Sequence, residues 1–236
     1  MIRSGMRWRR LGAVLTGVLL AGVLASCGSS DTATTGYLLP WAGGQTHRVL
    51  QGPLVVDPLG GCASGCGSHR DADGQHAWDF DLPEGTPVLA ARGGTVGLAV
   101  GSWGPTHCGG LSPVENQPPG YVVNQNLGNQ ANLVRIDHGD GTSALYLHLS
   151  EVAPEIQAKA KSGEAVAQGE MLGLSGRTGL TGCVPHLHFQ VEKTVRADWY
   201  TTSIPISFTD PDVLAQDGDG VPAEGGSYVS GNTPAP

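Results

Sequence analysis

"CVPHLHFQV", residues Cys183 to Val191, sets two histidines one residue apart in a run that otherwise reads as a β-strand. Side chains of an extended strand alternate between faces, so Leu187, Phe189 and Val191 fall on one side and His186, His188 and Gln190 on the other. Two further stretches divide in the same way. In "ALYLHL", Leu145, Leu147 and Leu149 share a face, which leaves Tyr146 and His148 opposite. In "HAWDFDLP", Trp78, Phe80 and Leu82 separate from Asp79 and Asp81. A single strand histidine is usually a solvated or hydrogen-bonded side chain. Three strands, each with an apolar face and a second face bearing His or Asp, point instead to a metal site. Neutral imidazole and carboxylate suit zinc, and catalytic zinc keeps three protein ligands and a water.

The rest of the chain reads as β structure. With 37 Gly and 16 Pro among 236 residues, helices have little room. Short apolar runs recur between turn signals: "PVLAAR", "TVGLAV", "NLVRID", "SALYLHL" and "HLHFQV". "DHGDG", Asp137 to Gly141, is a tight hairpin turn between two of them. "APEIQAKAKSG", residues 153–163, is the one modest helix candidate. The expected fold is mostly β, an antiparallel sheet or sandwich with long loops, over a single domain at 46–213. Residues 101–130 are too long and too rich in Gly, Pro and Asn for a plain connection. They read as a wall of a substrate groove, or as a structural elaboration pinned by Cys108.

The two ends differ from the middle. Residues 1–26 join four arginines to an apolar run, Leu11 to Leu24, and then small residues, the pattern of an export signal rather than a transmembrane span. "LASC", Leu24 to Cys27, resembles the lipobox of bacterial lipoproteins, which implies lipidation of Cys27 and attachment to the cell envelope on the periplasmic or outer side of a membrane. The alternatives are an ordinary signal peptide and an uncleaved anchor. Residues 27–45 are expected to be a flexible tether and 214–236 a disordered tail, both from composition. Of 13 basic and 21 acidic residues only those four arginines precede residue 27, which leaves 9 against 21, a net charge of −12. A nucleic-acid partner is excluded on that balance.

Cysteine usage agrees with export. Apart from Cys27 four remain, an even number in an oxidising compartment. Of three possible pairings the preferred one joins Cys62 to Cys66 and Cys108 to Cys183, the latter tying the long loop to the His-x-His strand. A zinc knuckle built on "CASGCGSH" (Cys62, Cys66, His69) ranks lower, since it lacks a second Cys/His pair at finger spacing.

"SHRDADGQHAWDFDLPEGTPVLAARGGTV", "ALYLHL" and "GEMLGLSGRTGLTGCVPHLHFQV" together resemble the successive motifs of the lysostaphin/LytM-type zinc metallopeptidases that cut peptidoglycan peptides. The resemblance runs from about Arg48 through Val191. It implies a fold of the duplicated-hybrid-motif type, Zn2+ as cofactor and peptidoglycan peptides as partner. It also implies His188 and Asp79 as zinc ligands, with His186 and His148 lining the catalytic water. The first ligand departs from the common form, in which a His precedes the Asp by four residues, because Gln75 stands there. A subgroup places that ligand in an "S-H" element, matched by Ser68-His69, so His69 is the assigned ligand and His76 the fallback.

These residues imply a zinc endopeptidase in which His148 and His186 divide proton acceptance and oxyanion stabilisation. The "H-E-x-x-H" helix motif with its glutamate base is absent. The alternative function is a non-catalytic peptidoglycan-binding regulator or activator of another wall hydrolase. His138 reads as a turn residue, His107 as a loop residue, His47 as preceding the first strand, and Asn132 as a strand-entry residue rather than a substrate contact.

Overall fold

The computed structural model describes residues 34–53, 69, 73–195 and 198–234, all within one compact unit, Thr32–Pro236. Residues 1–26, Cys27, Cys62 and Cys66 lie outside the described residues.

The first strands are β1 (Thr34–Tyr37), β2 (Thr46–Gln51), β3 (Trp78–Phe80), β4 (Pro87–Leu89), β5 (Gly94–Val100) and β6 (Cys108–Gly110). Next come β7 (Tyr121–Val123), β8 (Asn132–Asp137), β9 (Thr142–Leu149), β10 (Glu151–Val152) and helix α1 (Pro154–Ser162). The chain closes with β11 (Ala165–Val166), β12 (Met171–Leu174), β13 (Gly179–Leu180), β14 (Leu187–Lys193), β15 (Ile206–Phe208), α2 (Pro211–Asp217) and β16 (Ser227–Val229). An eight-stranded antiparallel sheet, in the order β11-β5-β8-β9-β14-β3-β2-β16, carries the molecule. A small antiparallel sheet (β10-β12-β4) and two parallel ones (β1-β15 and β13-β6-β7) flank it. The fold is mostly β, as the strand patterns imply. Helix α1 falls within 153–163, opened by Pro154 and closed by Gly163 in the left-handed conformation at φ 73°.

Alternation sorts β14 and β3 as expected. Leu187, Phe189 and Val191 join Trp78, Phe80 and Phe208 in the main core. The opposite face carries a smaller cluster, Ala131, Leu133, Leu145 and Leu147, covered by Trp199 and Tyr200.

The reading of "ALYLHL" needs correction. Tyr146 is buried in the main core and its hydroxyl accepts the Ala91 N–H at 2.8 Å, while Leu145 and Leu147 face the other way. His148 does not follow Tyr146, because the backbone breaks there. Asn132 pairs with Leu149 but Leu133 with Leu147, so His148 is the extra residue of a β-bulge, at φ 69°.

Both expected ends are corrected as well. From Thr34 the segment read as a tether forms β1, which pairs with β15, and Tyr37, Leu39 and Trp41 are buried. Much of the 214–236 segment read as disordered is ordered: α2 extends into it, β16 pairs with β2, and Tyr228 and Asn232 are buried. The buried Asp210 carboxylate joins these ends, accepting N–H groups from Leu39 at 2.8 Å and Gly231 at 2.6 Å. Asn232 donates to the carbonyls of Leu39 (3.1 Å) and Ala90 (3.2 Å). Composition missed this because a few large side chains, spaced among Gly and Pro, do the burying. Among the described residues no helix is long and apolar enough to cross a membrane.

Deleting residues 219–236 removes Tyr228 and the Asn232 bonds, and is expected to cost about 3 kcal/mol or more, the scale of losing a large buried aromatic. Urea unfolding checks this; unchanged stability would show the segment to be a tail after all.

Candidate metal centre

The pairing of β14 builds the site. His188 lies opposite Asp79 of β3 on one side and opposite Leu147 of β9 on the other. His69, buried, comes from the segment before β3. The separations are 3.0 Å from His188 Nδ1 to Asp79 Oδ1, 3.3 Å from His69 Nε2 to His188 Nδ1 and 3.4 Å from His69 Nε2 to Asp79 Oδ1. Ligand atoms about 2.0–2.1 Å from a tetrahedral zinc stand about 3.3–3.4 Å apart, so this triangle has the dimensions of one face of such a site.

The outer ring nitrogens have acceptors to match. His69 Nδ1 is 3.4 Å from the Gly52 carbonyl, and His188 Nε2 is 3.1 Å from the Gln190 side-chain oxygen. With an ion bound, each ring would donate its N–H outward to that oxygen and give its inner nitrogen to the ion, the second set of contacts usual around metal-binding histidines. Burial opposes ionisation of Asp79, yet hydrogen bonds from His188 and His69 hold its carboxyl well below the usual carboxylate range. Two neutral imidazoles and a carboxylate fit zinc or a similar divalent ion.

His148 and His186 stand beside the triangle. Their ring centroids are 4.8 Å apart, and His148 is 5.9 Å from His188. His148 Nδ1 donates to the Thr178 carbonyl at 2.8 Å and His186 Nδ1 to the Val184 carbonyl at 3.0 Å, which leaves each Nε2 as an acceptor. Burial, reinforced by His186 and His188, holds the His148 imidazole well below the usual histidine range, so it is neutral at neutral pH. Such a ring can take a proton from water.

The matched sequence spans this arrangement. Residues 73–199, more than half of the chain, match Peptidase family M23. The chain belongs to peptidase family M23. Over 114 residues it is 32% identical to the peptidoglycan DD-endopeptidase ShyA of Vibrio cholerae, covering 48% of this chain and 19% of that protein. An uncharacterized metalloprotease of Haemophilus influenzae is 31% identical over 120 residues, 50% of this chain and 18% of that one. The chain thus spans less than a fifth of these curated relatives. A zinc containing peptidase from Vibrio cholerae, of solved structure, is 21% identical over 72% of this chain and 41% of that chain, at a TM-score of 0.39.

Beside the centre of this M23 domain lies a cavity of about 450 Å³, lined by Leu147, His148 and His188 on the sheet side and by Leu180, Trp199 and Tyr200 among its other walls. Gly128 and Asn129 of segment 101–130 also line it. That segment is pinned as well, since Cys108 and Cys183 form a disulfide. The disulfide holds the turn before His186, where Cys183 itself sits at φ 64°. Asn132 is a strand-entry staple: its Oδ1 accepts the Trp103 N–H at 3.0 Å and its Nδ2 donates to the Leu149 carbonyl at 3.1 Å.

The remaining histidines lie apart. His76 donates its backbone N–H to Ser203 Oγ at 3.0 Å, and burial lowers its imidazole below the usual range. His47 Nδ1 meets the Asp81 carbonyl, His107 Nε2 the Gln130 side chain, and His138 Nδ1 the Gly93 carbonyl. Sequence reasoning passed over Thr178, Glu192, Trp199 and Tyr200. The aromatic pair in the polar stretch "RADWYTTS" was the available signal for the cavity wall, and Glu192 follows by the same alternation as His188 and Gln190.

In the metal-free protein Asp79→Asn is expected to lower stability by about 1–3 kcal/mol at pH 7, the range for hydrogen bonds to a charged group. A depressed carboxylate stabilises the fold above its unfolded pKa of about 3.9 and loses that contribution as pH falls, so the difference from the wild type should shrink below about pH 4. Urea unfolding of chelator-treated protein across pH measures it; a difference that grows on acidification would contradict the assignment.

Proposed function

We propose that this chain is a zinc-dependent endopeptidase that hydrolyses peptide bonds in peptidoglycan stems or cross-links. The observation that carries the reading is the convergence of three ligand atoms, His69 Nε2, Asp79 Oδ1 and His188 Nδ1, with two more histidines at their side. His69, Asp79 and His188 would hold the ion. When bound, zinc lowers the pKa of a coordinated water toward about 7 and polarises the scissile carbonyl.

The chain's own residues do the rest. His148, neutral and fixed by the Thr178 carbonyl, takes a proton at Nε2, while His186, fixed by the Val184 carbonyl, offers its Nε2 from the neighbouring strand end. Either can take the proton of the water at Nε2, and the Nε2–H so formed can then donate to the developing oxyanion. The cavity bounded by Leu147, Leu180, Trp199 and Tyr200 receives peptide and excludes water. Candidates for all three ligands together with both flanking histidines support hydrolysis over a role limited to binding the wall. Export, and anchoring to the cell envelope through a lipid on Cys27, complete the proposal and place the enzyme where its substrate is.

Zinc analysis and digestion of purified peptidoglycan test this together. The wild type is expected to carry stoichiometric zinc and release new amino ends, and His188→Ala to lose both. His148→Ala should keep its zinc while the rate falls by about 10²–10⁴, the contribution typical of a general acid or base. A zinc-loaded wild type that opens no peptide bonds would sink the enzyme reading. His69→Ala should abolish zinc binding and His76→Ala largely spare it; the reverse result would transfer the ligand role to His76.

A further inference from the structure

Beyond His188, the cavity-side face of β14 continues through Gln190 to Glu192, and both side chains are fully buried. The Gln190 amide nitrogen donates to Glu192 Oε2 at 2.9 Å, and the same oxygen accepts the Thr201 N–H at 2.9 Å. An amide has one donating and one accepting end, and a carboxyl oxygen that already accepts the Thr201 N–H accepts from the donating one. Glu192 therefore takes the NH2 end of Gln190 and turns the oxygen toward His188 Nε2, 3.1 Å away. That oxygen can accept only from Nε2–H, which favours the tautomer that offers Nδ1 to an ion between it, Asp79 and His69. Without the carboxylate, the amide is free to rotate and present its NH2 to Nε2, which selects the opposite tautomer and puts a proton where a metal ligand needs a lone pair.

The same carboxylate reaches the cavity wall. Asp198, Trp199 and Tyr200 immediately precede Thr201 and line the cavity. The fold itself has little use for this charge. Glu192 Oε1 is buried with no hydrogen-bond partner among the described residues, and burial pushes the carboxyl up to about 7 against the Thr201 and Gln190 bonds.

We infer that Glu192 is a positioning residue of the metal centre, acting through Gln190 to hold the Nδ1 lone pair of His188 toward the ion and through Thr201 to hold the adjoining cavity wall. The inference rests on the metal-centre reading above. It predicts two separable effects, one on metal affinity that runs through Gln190 and one on substrate binding that does not.

Zinc dissociation constants from chelator competition, with KM on peptidoglycan peptides, decide it. Glu192→Leu and Gln190→Leu should each weaken zinc about 10–100-fold, as expected for partners of metal-binding histidines. The double variant should be no weaker than either single one, because one relay is broken only once. Glu192→Gln, whose carbonyl oxygen can accept both N–H groups, should stay close to the wild type. KM should rise for Glu192→Leu and hold for Gln190→Leu. Wild-type zinc affinity in both leucine variants, or fully additive losses in the double one, overturns the relay. Should Glu192→Leu not fold, Gln190→Leu alone carries the test, since undiminished affinity there also overturns it. A wild type that binds no zinc overturns the metal-centre reading itself, a result distinct from weakened variants of a zinc-binding parent.

Discussion

The register of β14 between β3 and β9 is the constraint on which the rest depends. Because side chains alternate with a period of two, a slip of one residue would exchange the two faces of the strand. In the observed register Leu187, Phe189 and Val191 enter the main core, and the burial of these side chains, worth roughly 1.5–3 kcal/mol each, makes that exchange prohibitive. His188 is thereby held opposite Asp79 with no interaction of its own needed to select the pairing. The hydrophobic core places the polar centre, and the reverse does not hold.

Two local breaks in regular structure then complete what a flat sheet could not. Strict alternation would send His148 into the core after Tyr146, and the bulge at φ 69° returns it to the side of His188. A non-glycine residue at positive φ is uncommon and persists where its surroundings determine it. Here Thr178 and Asn132 do so, the first binding the His148 ring and the second the Leu149 carbonyl just after it. Cys183, also at positive φ, is held by its disulfide to Cys108 and leads the chain into the turn before His186. The five histidine and carboxylate groups therefore meet because one strand register and two strained positions agree.

Much of this was legible. The His-x-His alternation, the Asp79 strand and the antiparallel β architecture are consequences of period-two patterning, which a sequence displays directly. The separation of His148 from Tyr146 was not, since a bulge leaves no mark in a pattern of apolar and polar letters. Nor was the order of the chain ends: Gly, Pro and acid in 214–236 outweigh Tyr228 in any composition, although one buried ring and the Asp210 and Asn232 bonds hold that segment to the sheet.

The amino-acid sequence by itself determined which residues share a strand face and which of them can bind metal or carry protons, because those properties belong to single side chains and their immediate neighbours. Only the tertiary structure decided that His69 rather than His76 joins Asp79 and His188, that Trp199 and Tyr200 wall the cavity, and that Glu192 orients Gln190. The first depends on contacts between segments far apart in the chain and the other two on how residues 198–201 turn back against β14, and distance in space is set by packing, not by spacing along the sequence.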